Sequence, residues 1–306
     1  MRGFVMALAI AGTVSSAAAQ KTYRVGVDLV HFSVAVTDRG GEPVTGLAAD
    51  DFEVIEEGKP QAIKFFAVGP EGGADENLPL HLGFMLDTSG SMDRDIKDVR
   101  TAVIKFLNSM ERAADITLVD FDTEVRVARY GQNDFTRLIE RIRNRPAGGW
   151  TALYDAMATY LHGASDQTGQ KVLIMYTDGG DTRSSLNLND LLDMLRASDV
   201  TVYALGYLEN QPSSVRHEQR RHLQRFADMT GGQAFFPSSL KEVDKFYDII
   251  RQDVTARYSL GYTSSDTRSD GTWREVKIRL KRPELKGARI RTRAGYFAPM
   301  RNTSNP

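Results

Sequence analysis

Residues 80–92 read LHLGFMLDTSGSM, an apolar run that ends in a loop of small and polar residues. The run at residues 80–86 is short and apolar, which is typical of a strand buried inside a sheet. The loop after it has the spacing Asp-x-Ser-x-Ser, from Asp87 to Ser91. Such a loop can turn its three oxygen-bearing side chains toward one point, and Gly90 permits the tight path. This stretch therefore predicts a core strand that ends in a cluster of oxygen ligands.

The alternation of strands and helices continues to about residue 256. Apolar residues recur at three- and four-residue intervals in residues 93–110, which predicts an amphipathic helix. Further apolar runs predict strands, and they lie at residues 116–121, 171–176, 201–206 and 233–236. Strands that alternate with helices in this way form a mostly parallel sheet with helices on both faces. We therefore expect a doubly wound α/β fold, with ligands at the carboxyl ends of its strands.

Both ends of the chain show β-type alternation instead. Residues 20–78 and residues 257–300 contain short alternating runs separated by turn formers. Residues 22–79 hold four Lys or Arg against eleven Asp or Glu, whereas residues 251–306 hold thirteen against five. Because opposite charges suit segments that pack together, we expect both ends to form one β-sandwich-like domain. The α/β domain, residues 79–256, would be inserted in it; two separate β appendages are the alternative.

The first residues predict an export signal rather than a part of the fold. Arg2 supplies a positive charge, and small residues follow the apolar run at residues 4–14. That run is too short to span a bilayer, which needs about 20 apolar residues. We expect cleavage after Ala19, so that residues 1–19 are a signal peptide and residues 301–306 a short tail. An uncleaved membrane anchor is the alternative.

The composition narrows the cellular setting and the kind of partner. The chain has 306 residues, no cysteine and a formal net charge of −1. Without cysteine it carries neither disulfides nor thiolate metal ligands. A net charge near zero argues against a nucleic-acid partner, which usually requires a basic face. Together with the export signal, this composition predicts a protein of the periplasm or the extracellular space.

Two further loops place oxygen ligands after predicted strands or between predicted elements. Thr151 lies in the sequence GGWTAL at residues 148–153, and Asp178 follows the strand predicted at residues 171–176. Carboxylate and hydroxyl oxygens suit a hard cation. Mg²⁺, or Mn²⁺ in its place, fits them better than Zn²⁺, which prefers nitrogen and sulfur. The three loops together predict a site for one divalent cation.

These three loops, in this order, resemble the metal-ion-dependent adhesion site of von Willebrand factor type A (VWFA) domains. The resemblance implies that Ser89, Ser91 and Thr151 bind the metal directly through their hydroxyls. It also implies that Asp87 and Asp178 act mainly through water. The flanking strands resemble those of bacterial exported proteins with VWFA-related domains, through the motifs DFEV at 51–54, GKP at 58–60, YSLGY at 258–262 and RAGY at 293–296.

Neutral hydroxyl ligands leave a bound metal most of its positive charge, so a coordination position open to solvent attracts an outside carboxylate. We therefore expect a non-enzymatic adhesion or protein-binding module whose metal captures an Asp or Glu side chain of a partner protein. Trp150, next to Thr151, either shapes the rim of this site or covers the core. Asp120 and Asp122 are candidates for further contacts at the site, although ordinary loop acids are the simpler interpretation.

Other functions stay open. One is a scaffold of the cell envelope whose metal is only structural, and another is a metal-dependent hydrolase, although no base or nucleophile lies beside the predicted ligands. Residues 84–91 resemble an aspartic-protease loop but lack a second copy, and no Gly-x-Ser-x-Gly motif supports a serine hydrolase. A helix predicted at residues 240–255 leads into the terminal strands. We expect that a ligand at the metal loops shifts this helix.

Overall fold

A computed structural model describes residues 29–69, 78–93, 96–110 and 112–300. The predicted signal peptide and the tail lie outside these residues. Among these residues, none of the helices combines the length and the apolar character of a membrane-spanning segment.

The described residues contain fourteen strands and six α-helices. The strands are β1 (Val30–Thr37), β2 (Phe52–Glu56), β3 (Lys59–Gln61), β4 (Ile63–Val68), β5 (Leu80–Asp87), β6 (Ala113–Phe121), β7 (Val125–Gly131), β8 (Gln170–Thr177), β9 (Thr201–Gly206), β10 (Gln233–Phe235), β11 (Tyr258–Tyr262), β12 (Trp273–Leu280), β13 (Arg289–Arg291) and β14 (Gly295–Phe297). The helices are α1 (Ile96–Asn108), α2 (Phe135–Asn144), α3 (Leu153–Ala164), α4 (Leu188–Ala197), α5 (Ser213–Thr230) and α6 (Leu240–Ala256).

Six strands form a central sheet in the order β10-β9-β8-β5-β6-β7. Neighbouring strands are parallel, except that β7 pairs antiparallel with β6 at one edge. Apolar residues of α1, α2 and α6 pack on one face of this sheet. Those of α3, α4 and α5 pack on the other face. The doubly wound, mostly parallel α/β fold predicted from the sequence is therefore confirmed.

The strand pattern follows from burial. All eight residues of β8 are buried, and so are all residues of β5 except His81, because helices cover both faces of the sheet. The sequence interpretation missed β7, which lies at the edge of the sheet and is mostly half-buried or exposed. The sequence predicts a helix from residue 93, and the structure describes α1 from Ile96.

The order of the strands creates a crevice at the carboxyl edge of the sheet. β5 lies in the middle, with β6 on one side and β8 on the other. The chain therefore leaves β5 and β8 in opposite directions, and this is the position where doubly wound folds bind ligands. Asp87 is the last residue of β5 and Thr177 the last of β8. The predicted ligand loops thus lie at this crevice.

The remaining eight strands form two antiparallel sheets, in the orders β13-β1-β11-β4 and β14-β12-β2-β3. Each sheet combines strands from both ends of the chain, and one apolar core lies between the sheets. Ion pairs also join the two ends, from Arg282 to Asp51 at 2.6 Å and from Arg274 to Glu56 at 3.3 Å. The predicted insertion of the α/β fold into a β-sandwich-like domain is confirmed, and the alternative of separate β appendages is wrong.

A buried polar cluster joins the α/β part to the sandwich. Arg257, which is 1% exposed, lies 3.4 Å from Asp253 and donates to the hydroxyl of Tyr203 at 3.0 Å. It also donates to the hydroxyl of Ser33 on β1 at 2.8 Å. Arg291 of β13 donates to the other oxygen of Asp253 at 2.9 Å. These bonds connect α6 and β9 to strands of the sandwich.

Candidate functional site

Asp87 is fully buried at the end of β5, and both of its carboxylate oxygens accept hydrogen bonds. The backbone N–H of Ser89 donates to Oδ1 at 2.9 Å. The hydroxyl of Thr177 donates to Oδ2 at 2.6 Å and accepts from the N–H of Gly179 at 3.0 Å. Thr177 therefore ties the loop after β8 to the loop after β5. No spacing along the chain identifies Thr177 as a site residue, because its partner Asp87 is 90 positions away.

The two serines of the Asp-x-Ser-x-Ser loop lie side by side. Their hydroxyl oxygens are 3.1 Å apart, with Ser89 buried and Ser91 exposed. Gly90 between them is outside the left-handed region, and its N–H donates to the carbonyl of Gly149 at 3.1 Å. A Cβ atom on Gly90 would lie 3.4 Å from that carbonyl oxygen. That distance is an ordinary van der Waals contact, so neither the backbone conformation nor the neighbouring loop requires glycine at this position.

Thr151 lies in a loop that is bonded on both sides. The N–H of Gly148 donates to the carbonyl of Thr88 at 2.8 Å, which attaches this loop to the one after β5. Gly149 has φ +78°, and a Cβ atom there would lie 2.6 Å from the hydroxyl of Thr123, so the position requires glycine. Thr151 itself is 6% exposed, and its N–H donates to the hydroxyl of Thr182 at 3.0 Å.

Asp178 completes the predicted set on the third loop. It is 6% exposed, and its Oδ2 accepts from the side-chain amide of Gln211 at 2.8 Å. The next residue, Gly179, has φ +83°, and a Cβ atom there would lie 2.9 Å from the side chain of Gln219. Gln211 lies beyond β9, in a segment without any ligand-like spacing, so sequence reasoning missed it. It holds one orientation of the Asp178 carboxylate.

The charge balance at Asp87 is unusual for a buried carboxylate. Burial away from water, followed by the negative charge of Asp178, raises the pKa of Asp87 to about 7, despite the hydrogen bonds from Ser89 and Thr177. Among the described residues, no Lys, Arg or His forms an ion pair with Asp87, and no basic side chain contributes appreciably to its pKa. Two close carboxylates beside hydroxyls form a donor set that suits a hard divalent cation.

The five predicted ligands thus lie on three loops that hydrogen bonds connect. Direct contacts join Ser89 to Ser91 and to Asp87, and Asp178 lies within electrostatic reach of Asp87. Thr151 is connected to them through the backbone of its loop. Across the described ranges, no three His, Cys, Asp or Glu side chains are grouped so as to hold a metal ion. A shared cation therefore depends on the hydroxyls, and it stays a prediction.

The structure resolves the two interpretations of Trp150 and changes that of Asp120. Trp150 is 64% exposed, so it lies at the rim of the loops and the alternative that it covers the core is wrong. Asp120 belongs to β6 rather than to a loop and is 1% exposed. Its carboxylate accepts from Arg126 at 2.8 Å and from Arg141 at 2.7 Å. Asp122 also binds Arg126, at 2.6 Å.

Comparison with known proteins agrees with this architecture. The family model of the von Willebrand factor type A domain matches residues 81–249, more than half of the chain. A solved structure, von Willebrand factor type A from Catenulispora acidiphila, is similar over 92% of this chain and 76% of that chain, with a TM-score of 0.50 and 13% identity. That likeness shows the fold alone.

One curated protein from Synechocystis sp., described as uncharacterized, is 26% identical over 188 residues, which is 51% of this chain. The matched region covers 43% of that relative's length. The relative therefore extends well beyond the shared region.

Proposed function

This chain belongs to the von Willebrand factor type A family, and we propose that it is a metal-dependent protein-binding module with one divalent cation at the carboxyl edge of its central sheet. One observation carries the proposal: Asp87 is fully buried next to Asp178, and the described residues offer it no basic partner. A buried charge without compensation is costly. A cation at this edge would balance it.

The proposed cation is Mg²⁺ or Mn²⁺, and the predicted ligands divide into two groups. Ser89, Ser91 and Thr151 would offer hydroxyl oxygens directly. Asp87 and Asp178 would act mainly through water. The metal supplies concentrated positive charge, which a negatively charged group of a partner can approach from solvent.

Two residues outside the predicted set orient the carboxylates. Thr177 fixes Oδ2 of Asp87, and Gln211 fixes Oδ2 of Asp178. Such outer contacts usually set the geometry and affinity of a metal site, because they hold the ligands in one orientation before the metal binds.

The proposed partner is a protein that presents an Asp or Glu side chain. Ser91 and Trp150 are both exposed, so the loops are accessible from solvent. A carboxylate that contacts a bound metal ion forms a strong charge-assisted interaction, because removing either member leaves an unbalanced charge. We propose adhesion rather than catalysis, since the three loops resemble a metal-ion-dependent adhesion site and the matched family model indicates no catalytic family. The pattern of residues 1–19 supports export to the periplasm or the extracellular space.

A binding assay with a defined probe tests this function. A short synthetic peptide with one glutamate in a Gly/Ser background is immobilised at high density, and binding of the protein is recorded in Mg²⁺ and again in chelator. We expect binding only in Mg²⁺, and a loss of about tenfold or more for Thr151→Ala. The matched control is Thr159→Ala, an exposed threonine on α3 whose hydroxyl donates to the backbone carbonyl of Asp155 at 2.7 Å. Binding that survives chelation would favour a scaffold with a structural metal.

A further inference from the structure

Three arginines line a recess of about 600 Å³ beside the candidate metal loops: Arg126, Arg141 and Arg145. Asp120 is the one acid in this lining among the described residues, and its 1% exposure leaves almost none of it accessible to a ligand. The charge of Asp120 is already balanced by Arg126 and Arg141, which bind its two oxygens. The walls of the recess are therefore cationic where solvent reaches them.

Of the three arginines, Arg145 makes the longest contacts with the neighbouring carboxylates. Its Nη2 donates to Asp122 at 3.2 Å. Its Nε lies 3.4 Å from Asp120, is buried, and makes no hydrogen bond within the described residues. Arg126, by contrast, binds Asp120 and Asp122 at 2.8 and 2.6 Å and also lies 3.3 Å from the exposed Glu124. The Arg145 side chain is 29% exposed, so a ligand in the recess can reach it.

The recess and the candidate metal loops share a wall. Asp87 pairs in register with Phe121, so the strand that carries Asp120 lies one strand spacing, about 4.8 Å, from the strand that carries Asp87. The N–H of Trp150 donates to the hydroxyl of Thr123 at 2.9 Å, which attaches the Thr151 loop to the segment after β6. Asp122, which accepts from Arg145 at 3.2 Å, also accepts from the N–H of Ala152 at 2.9 Å through its backbone carbonyl. The recess thus lies beside the loop that carries Thr151.

We propose that this recess, at Arg145, binds a second acidic side chain of the partner. The first acidic side chain of the same partner segment would bind the metal. This inference rests on the proposed function and adds the chemistry of the partner: an extended segment with two acidic residues. Because an extended chain advances about 3.3 Å per residue, acids about two to four positions apart reach both places. Trp150, exposed on the shared wall, is placed to contact the residues between them. The metal would bind the first acidic side chain, and the recess would favour partner segments that carry a second one.

The test compares two immobilised peptides in Mg²⁺: the single-glutamate peptide and one with a second glutamate three positions away. Wild-type protein should bind the two-glutamate peptide about tenfold more tightly, because the second carboxylate meets a partly desolvated cation. For Arg145→Gln the preference should fall to about onefold, with binding of the single-glutamate peptide unchanged. Arg145→Lys should recover part of the preference, because it restores the charge without the fork of donors.

The control is Arg137→Gln, on α2, the helix that ends just before Arg145. Arg137 is 78% exposed and pairs with Asp134 outside the recess, so the full preference should persist. Equal preference in wild type and Arg145→Gln would overturn the inference, and so would an equal loss in Arg137→Gln, which would indicate general attraction between charges. The proposed function fails separately: in that case the single-glutamate peptide binds equally with and without chelator, or does not bind.

Discussion

Asp87 and Asp253 are both buried carboxylates, and the chain surrounds them in opposite ways. Asp253, 5% exposed, lies 3.4 Å from Arg257 and accepts from Arg291 at 2.9 Å. Asp87, 0% exposed, accepts from the hydroxyl of Thr177 and from a backbone N–H, with no basic side chain paired to it among the described residues. One carboxylate is neutralised from within the chain. The other is not.

The difference separates a structural charge from a functional one. Arg257 and Asp253 join the α/β part to the sandwich, where a permanent partner stabilises the arrangement of the two parts. At Asp87 a permanent partner would occupy the place of a cation. Burial and the negative charge of Asp178 raise the pKa of Asp87 to about 7, so keeping this carboxylate ionised without a cation costs free energy. We infer that buried charge without an internal partner marks the binding edge of this fold.

The largest effect is expected at the structural charge. Asp253→Ala should lower the free energy of unfolding by about 3–5 kcal/mol, because it leaves Arg257 buried without its carboxylate. Urea unfolding measures the change, which should be the same with and without Mg²⁺. The control is Asp248→Ala on the same helix, which removes an exposed pair with Arg251 and should cost less than about 1 kcal/mol. A loss that Mg²⁺ reverses would break the distinction between the two carboxylates.

Mg²⁺ should stabilise the wild-type protein by binding at the site of Asp87. At a concentration 100 times its dissociation constant, a ligand that binds only the folded state adds about 2.7 kcal/mol. Thermal or urea unfolding in Mg²⁺ and in chelator measures the difference. Mg²⁺ should give Asp253→Ala the same increment, because its binding edge is intact. An increment confined to the wild type would show that the two regions are coupled.

Loss of the hydrogen bond that orients Asp178 should have a smaller effect, on metal affinity. Gln211→Ala should weaken Mn²⁺ binding by about tenfold, since it frees the carboxylate of Asp178 from the hydrogen bond at 2.8 Å. Calorimetric titration with Mn²⁺ measures the affinity. Gln224→Ala is the matched control, because it removes a bond of the same length to Asp228 on the exposed surface of α5. Equal affinities for the two variants would deny Gln211 a positioning role.

The smallest effect on stability is expected at the rim. Trp150→Ala should change the free energy of unfolding by less than about 0.5 kcal/mol, because the side chain is 64% exposed and covers little of the core. The same variant should weaken binding of the two-glutamate peptide, and the two measurements together separate a contact residue from a core residue. A destabilisation of several kcal/mol would show instead that Trp150 packs in the core.

The local parts of this architecture could be predicted from the sequence. Apolar runs locate β5 and β8 because both strands are buried, and the Asp-x-Ser-x-Ser spacing locates the first ligand loop. The opposite charges of the two ends predicted their association, which the shared sheets confirm. In contrast, β7 was missed because an edge strand is only partly buried and Arg126 and Arg129 interrupt its apolar residues.

Contacts between distant residues could not be predicted in the same way. Gln211 and Asp178 are 33 positions apart, and Thr177 and Asp87 are 90 positions apart. No spacing along the chain indicates that such residues meet. The recess around Arg145 has the same origin, since a helix end and two strands come together there only in the folded chain.

The claim that Asp87 marks a cation site is tested most directly by Mn²⁺ titration of the wild type and Asp87→Asn, with free Mn²⁺ followed by electron paramagnetic resonance. We expect the wild type to bind one Mn²⁺ that Mg²⁺ displaces, and we expect Asp87→Asn to bind Mn²⁺ about 100-fold more weakly. In chelator the variant should unfold at the same urea concentration as the wild type or a higher one, because it loses a buried charge. Equal Mn²⁺ affinities of the two proteins, or no Mn²⁺ binding by the wild type, would show that Asp87 does not mark a cation site.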